Sequence, residues 1–211
     1  MSLDLSAQRL VQYIQSRTDF VFRKVDPPYG HMGATIADTV LQANNRYSSV
    51  TPRVQRILTR WPNATTVTAM LDLLKSVPTV TFLNWNGVDR AERFDSILSL
   101  LNRERVETET DLQTWMMKDA NLQKLRAIYG VGPKTVDYLK IMVGLQSIAI
   151  DRRLLTFLGG AGIAVNPGDY NTAREILRRA AVLLSIPPAD FDHSIWRYIG
   201  GEDIAPCAQK G

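Results

Sequence analysis

Apolar residues recur at helical spacing along most of the chain. Positions i, i+3, i+4 and i+7 share one face of a helix, so this spacing predicts a helix with one buried side. It occurs in six stretches, which begin at Ala7, Val54, Phe94, Leu112, Asn171 and Phe191. Glycine, proline and asparagine pairs separate the stretches and predict short connections. The pattern indicates an all-α protein of roughly ten helices.

Composition excludes several classes of protein. The chain has 211 residues, of which 45% are apolar and 22% charged, as in folded globular proteins. Its apolar runs are shorter than the roughly 20 residues of a membrane span, and Met1-Ser2-Leu3-Asp4 does not resemble a secretory signal. We therefore expect a soluble intracellular protein, in the cytoplasm or in the nucleoid if it is bacterial, with no membrane partner.

The basic residues are mostly arginine. The net charge is +4, and 18 of the 25 basic residues are arginines. Arginine binds phosphate in a bidentate manner and stacks on planar groups, so a nucleic-acid partner fits this composition. Composition alone is nevertheless explained better by an arginine-rich surface exposed to solvent than by a nucleic-acid partner.

One segment, residues 122–139, carries a specific motif. Two helical patterns flank the turn Gly130-Val131-Gly132-Pro133, in which the glycines permit unusual backbone angles and Pro133 favours the first helical position. Val131 is expected to point inward, and the N–H groups of the turn and helix start form a seat for a phosphate. The candidate phosphate contacts are Gly130, Val131, Gly132 and Thr135. The alternative is a helix connection that merely needs glycine.

This segment resembles the helix-hairpin-helix motif, and the residues after it resemble the HhH-GPD superfamily of DNA glycosylases. A short apolar run at residues 147–150 leads to Asp151, which begins another helical pattern 17 residues after Lys134. Endonuclease III-like members of the superfamily have a catalytic lysine and a catalytic aspartate with this separation. The resemblance covers about residues 33–199 and is strongest at residues 129–158.

The resemblance implies a fold and a domain division. The fold is a two-lobed, all-α helix-hairpin-helix glycosylase with the active-site cleft between the lobes. One lobe is a six-helix barrel over residues 36–147 that contains the hairpin. The other is formed by residues 1–35 and 148–211.

The resemblance also implies the roles of Lys134 and Asp151. Lys134 attacks the sugar C1′ and forms a Schiff base, and Asp151 stabilises the positive charge that develops on the sugar. The residues by themselves leave simpler roles open: Lys134 could bind a phosphate, and Asp151 could cap a helix.

Further candidate sites follow from the same resemblance. Gln42 lies where the family inserts a glutamine into the DNA groove, although it could be an exposed helical side chain. Asn84, Trp85 and Asn86 lie where the family has its intercalating loop, and Trp85 could instead anchor that loop to the core. Arg152 is a further candidate for a DNA contact. His31 and Asp192 are candidates for a base pocket. The alternative for His31 is a structural histidine, and the alternative for Asp192 is a cap of the last helix.

The chain departs from the family in two places. A single cysteine, Cys207, excludes an iron–sulfur cluster, a zinc site and an internal disulfide. Arg152-Arg153 replaces the Thr-His that many relatives have after the aspartate, so the identity of the excised base stays open. The family precedent implies no cofactor beyond a monovalent cation at the hairpin.

The resemblance thus implies a monomeric base-excision repair enzyme, a DNA glycosylase with abasic-site lyase activity. Its partner is double-stranded DNA that carries a damaged or mismatched base. Two alternatives stay open. One is a monofunctional glycosylase in which Asp151 orients water, and the other is a non-catalytic helix-hairpin-helix module.

Overall fold

The computed structural model describes residues 2–42, 45 and 47–200. In this part of the chain all regular structure is helical, so the predicted all-α class is confirmed. Cys207 and the rest of the C-terminal segment lie outside the described residues. The helices are α1 (Leu3–Gln15), α2 (Met32–Leu41), α3 (Tyr47–Arg60), α4 (Val67–Leu74), α5 (Thr79–Leu83), α6 (Val88–Arg103), α7 (Glu109–Met116), α8 (Asp119–Arg126), α9 (Pro133–Met142), α10 (Arg152–Gly160), α11 (Tyr170–Leu183) and α12 (Pro188–Gly200).

The chain divides into two compact units. The hairpin unit is Pro27–Leu145, and the terminal unit combines the two chain ends, Met1–Asp26 and Gln146–Gly211, as far as they are described. The lobes expected from the sequence had their boundaries at residues 36 and 147. The loop before α2 therefore belongs to the hairpin unit rather than to the chain ends.

The hairpin unit is built around α2. All ten residues of this helix are buried, and it packs against α3, α4, α6 and α9. Phe82 and Phe94 pack within the same core, with ring centroids 5.4 Å apart. A helix with no exposed face fixes the elements around it, including the hairpin helix α9.

The terminal unit has a smaller core of its own. Helix α1 packs on α11, and α12 packs on both α10 and α11. Phe157 and Phe191 are fully buried there. Asp4, Glu175 and Arg179 form an ion-pair network between α1 and α11, with Arg179 Nη1 2.6 Å from Asp4 Oδ1.

The described helices are short or amphipathic. Among residues 2–42, 45 and 47–200, no helix has both the length and the apolar character that a bilayer crossing requires.

Candidate functional site

The predicted hairpin connects α8 to α9 in the hairpin unit. Gly130 has φ +78°, and Gly132 is the N-cap of α9 with φ −94°. Val131 is only 6% exposed and belongs to the core, so the predicted inward orientation of its side chain is confirmed. Pro133 occupies the first turn of α9, and no side chain of the described residues caps this helix end. The first-turn N–H groups of α9 therefore have no side-chain cap, as a phosphate seat requires.

Arg93 completes the hairpin turn, and the sequence analysis missed it. Its Nε donates to the backbone oxygen of Tyr129 at 3.3 Å. A Cβ on Gly130 would overlap the Arg93 guanidinium, which is the end of a flexible side chain and can shift, so the positive φ is the stronger reason for glycine at this position. Arg93 thus brings a positive charge to one carbonyl of the turn, and a monovalent cation at the hairpin stays a prediction. Spacing could not reveal Arg93, because it lies 37 residues before Gly130.

Lys134 and Thr135 lie directly after the turn. They are the second and third residues of α9, and both are half-buried. Tyr129, beside the turn, is 89% exposed. An amine, a hydroxyl and an exposed aromatic ring thus cluster at the start of α9, where the helix dipole favours an anion.

Asp151 is the N-cap of α10 in the terminal unit. Its Oδ1 accepts a hydrogen bond from the backbone N–H of Leu154 at 3.0 Å. The capping role that the sequence left open is therefore present. The hydrogen bond holds the half-buried carboxylate in one orientation, which is compatible with a second role for the other oxygen.

The adjacent arginines differ from each other. Arg152 is exposed, whereas Arg153 packs its guanidinium 4.0 Å from the ring centroid of Trp196 and donates to the Trp196 backbone oxygen at 3.2 Å. Arg153 therefore ties α10 to α12. Arg152 retains the DNA-contact interpretation, and Arg153 has a structural role.

His31 is a buried cap residue, and its place in a base pocket stays a prediction. It is 3% exposed and caps α2, where its Nδ1 accepts from the N–H of Ala34 at 3.0 Å. Because Nδ1 is an acceptor, the proton lies on Nε2, which donates to the Trp61 oxygen at 2.8 Å. Both ring nitrogens are used within the fold, as the alternative of a structural histidine requires.

Asp192 differs from one of the two predictions made for it. It is the fifth residue of α12 and therefore does not cap that helix. The side chain is 9% exposed, and its Oδ2 accepts from the N–H of Ala149 at 2.6 Å. This carboxylate fixes the segment that leads to Asp151, and its contact with a base stays a prediction.

Trp85 is held within the loop between α5 and α6. It is half-buried and packs against the core of the hairpin unit, which favours the anchoring interpretation. Gly87 leaves room for it, since a Cβ there would lie 2.6 Å from Trp85 Nε1. Asn84, with φ +49°, and Asn86 are exposed and remain available for contacts.

Gln42 lies at the C-terminal end of α2 and is 8% exposed, so the alternative of an exposed helical glutamine is wrong. Its buried Oε1 accepts no hydrogen bond from the described residues. A buried acceptor of this kind is costly unless a partner supplies a donor.

A buried carboxylate on the same helix was missed. Asp38 is 4% exposed and accepts hydrogen bonds from Tyr29 Oη at 2.8 Å and Tyr138 Oη at 3.1 Å. Burial raises the pKa of Asp38, and the two tyrosine hydrogen bonds oppose that rise. The sequence signal for this buried carboxylate is a single charged residue inside the apolar stretch at residues 36–41.

The comparison with protein families covers nearly the whole chain. Residues 8–199 match a family described as a domain of unknown function, DUF8548. The chain belongs to the DUF8548 family. The match contains every candidate residue from His31 to Asp192. No curated protein matches the chain.

The DUF8548 description names no activity, so the chemistry must be argued from the residues. Across the described part of this DUF8548 chain, no group of three or more histidine, cysteine, aspartate or glutamate side chains is arranged to hold a metal ion. Among the described residues, two candidates for chemistry are the amine of Lys134 at the hairpin and the oriented carboxylate of Asp151 at the start of α10.

Proposed function

We propose that this DUF8548 chain is a DNA glycosylase with abasic-site lyase activity. One observation carries the proposal: Lys134 follows a glycine hairpin with an uncapped helix start, and Asp151, 17 residues later, is a carboxylate held in place by capping α10. The two-lobed helix-hairpin-helix glycosylase fold, beyond the all-α class, is part of the same proposal.

Asp151 supplies the electrostatic part of the chemistry. Cleavage of the bond between C1′ and the base nitrogen develops positive charge on the sugar. A carboxylate that is already oriented stabilises this charge without reorganising during the reaction. The hydrogen bond from Leu154 leaves the second carboxylate oxygen for that contact.

Lys134 supplies the nucleophile. Its neutral amine attacks C1′, the base departs with the bonding electrons and takes up a proton, and the sugar ring opens to give an iminium linkage to Nζ. Loss of a proton from C2′ then breaks the bond between C3′ and its phosphate oxygen. These steps use the side chains of the protein and need no cofactor.

The partner in this proposal is double-stranded DNA with a damaged or mismatched base, bound by one copy of the chain. The hairpin N–H groups and the exposed Arg152 contact phosphates, and Asn84 and Asn86 contact the duplex from their loop. The target nucleotide leaves the stack at a cost of a few kcal/mol.

A panel of duplexes tests base excision. Each carries one oxidised pyrimidine, 8-oxoguanine, alkylated purine, or mismatched uracil or thymine, and alkaline cleavage reveals base loss. We expect Asp151→Asn to slow excision by about a hundredfold or more under single-turnover conditions. Asparagine caps helices as well as aspartate does, so the fold is retained.

A matched control is Asp169→Asn. Asp169 caps α11 through a 3.1 Å hydrogen bond from Thr172, so this variant makes the same chemical change at another helix cap. Its excision rate should equal that of the wild type. Intact bases on every duplex, after incubation with folded wild-type protein, would contradict the glycosylase proposal.

A non-catalytic helix-hairpin-helix module is the second candidate, because the Leu154 hydrogen bond accounts for Asp151 without any chemistry. In that case the wild type binds the duplex and removes no base. A monofunctional glycosylase differs from both, since it removes the base but forms no covalent bond through Lys134.

A further inference from the structure

Three arginines of the hairpin unit contact either the hairpin or the loop at residues 84–87. Arg53 belongs to α3, and Arg90 and Arg93 belong to α6. Arg90 and Arg93 are three residues apart and are therefore neighbours on the helix surface. We call Arg53, Arg90 and Arg93 the arginine surface.

Trp85 positions two of these guanidiniums. The guanidinium carbon of Arg53 lies 5.0 Å from the Trp85 ring centroid, and that of Arg90 lies 4.2 Å from it. Arg53 Nε also donates to the Asn84 backbone oxygen at 3.0 Å. Cation–π contacts and a carbonyl acceptor therefore hold these two guanidiniums in place.

Arg93 connects the arginine surface to the hairpin. It donates to the backbone of Tyr129 and lies over Gly130, as described above. One helix, α6, therefore presents adjacent cations to the Trp85 loop and to the hairpin turn.

The arginine surface is positively charged, and Asp89 of α6 offsets part of that charge. Within the described residues, Arg53 and Arg93 form no ion pair with an acidic side chain. Burial and the nearby charge of Arg93 lower the pKa of Arg90, although Asp89 opposes this. Like charges held this close favour a polyanion that can approach all of them.

We propose that Arg53, Arg90 and Arg93 bind successive phosphates of a DNA duplex and extend the hairpin contact to the Trp85 loop. Arginine matches phosphate geometry, and contacts of this kind position a protein without reading sequence. In this arrangement Trp85 supports the arginines. The inference rests on the DNA partner of the proposed function and is independent of the chemistry of Lys134 and Asp151.

The salt dependence of DNA binding tests this inference. Fluorescence anisotropy with a labelled, undamaged duplex gives the dissociation constant of the full chain at several salt concentrations. We expect Arg53→Gln and Arg93→Gln each to weaken binding about threefold to tenfold and to reduce the salt slope by about 0.9, the value for one lost phosphate contact.

Arg103→Gln is the matched control. Arg103 is exposed in the last turn of α6, ten residues after Arg93, and its replacement changes the net charge equally. Its salt slope should match that of the wild type. Thermal unfolding followed by circular dichroism establishes that each variant is folded.

Two results would overturn the inference. In one, Arg53→Gln and Arg93→Gln bind as Arg103→Gln does. In the other, the folded wild type does not bind a duplex at low salt, which also removes the DNA partner. A third outcome separates the two proposals: the wild type binds DNA, the arginine variants bind more weakly, and no base is excised. This outcome supports the arginine surface and rejects only the proposed enzymatic activity.

Discussion

The guanidinium of Arg93 occupies the space that a side chain on Gly130 would need. Gly130 also has φ +78°, an angle that costs other residues about 1–2 kcal/mol. The hairpin turn is thus fixed by backbone geometry and by a side chain from α6.

We predict that Gly130→Ala destabilises the protein by about 1–2 kcal/mol from backbone strain, with a smaller further cost because the end of the flexible Arg93 side chain must shift. Urea unfolding at equilibrium measures the change. Gly132→Ser is the control, because φ there is −94°, a Cβ meets no atom within 4 Å, and serine is a favourable N-cap.

The double variant Gly130→Ala/Arg93→Ala separates the two costs. Removing the guanidinium relieves the overlap and leaves the strain, so the two changes should be non-additive. Additive effects would show that the Arg93 contact does not constrain the turn.

Asp38 gives a second prediction, on the pH dependence of stability. Its pKa is raised in the folded state, so folding favours the protonated form. The resulting stabilisation is complete below the ordinary pKa of aspartate and is lost as the pH rises through the raised value. Asp38→Asn stays neutral and should lack this loss.

Thermal unfolding at a series of pH values that starts below the ordinary pKa of aspartate, about 3.9, measures the difference. His193 contributes an opposite slope because burial lowers its pKa, but it is present in both proteins and cancels. Tyr29→Phe removes a hydrogen bond that lowers the pKa of Asp38, so its pH dependence should be steeper than in the wild type. Identical pH profiles in all three proteins would contradict this account.

Asp192 gives a third prediction, on the segment before Asp151. Asp192→Ala removes the acceptor of the buried Ala149 N–H and should cost about 1–3 kcal/mol. Asp192→Asn keeps an acceptor and should cost less. Equal unfolding free energies for the two variants, measured in urea, would mean that the hydrogen bond to Ala149 is not what Asp192 contributes.

The helices could largely be predicted from the sequence, because a helix that is buried on one side has apolar residues at regular helical spacing. Phe94, Ile97, Leu98 and Leu101 are all buried in α6, as their spacing indicates. Helix α2 has no polar face, so its period was weak, and Asp38 within it was overlooked. The five-residue α5 is too short to show a period.

Side-chain partners at the candidate site could not be predicted, because they come from distant parts of the chain. Arg93 reaches the hairpin from α6, and Asp192 reaches Ala149 from α12. His31 looked available in the sequence, but the structure uses both of its ring nitrogens. Local spacing found Val131 and the cap at Asp151 because those interactions are local.

Borohydride trapping tests the central claim most directly. Borohydride reduces an iminium to a stable amine, so a duplex with one abasic site becomes covalently bound to an enzyme that forms a Schiff base. The comparison includes wild type, Lys134→Ala and Lys140→Ala, since Lys140 is a second lysine of α9. The account predicts a trapped complex with wild type and Lys140→Ala and none with Lys134→Ala. No trapped complex from folded, DNA-binding wild type, or undiminished trapping by Lys134→Ala, would contradict Lys134 as the nucleophile.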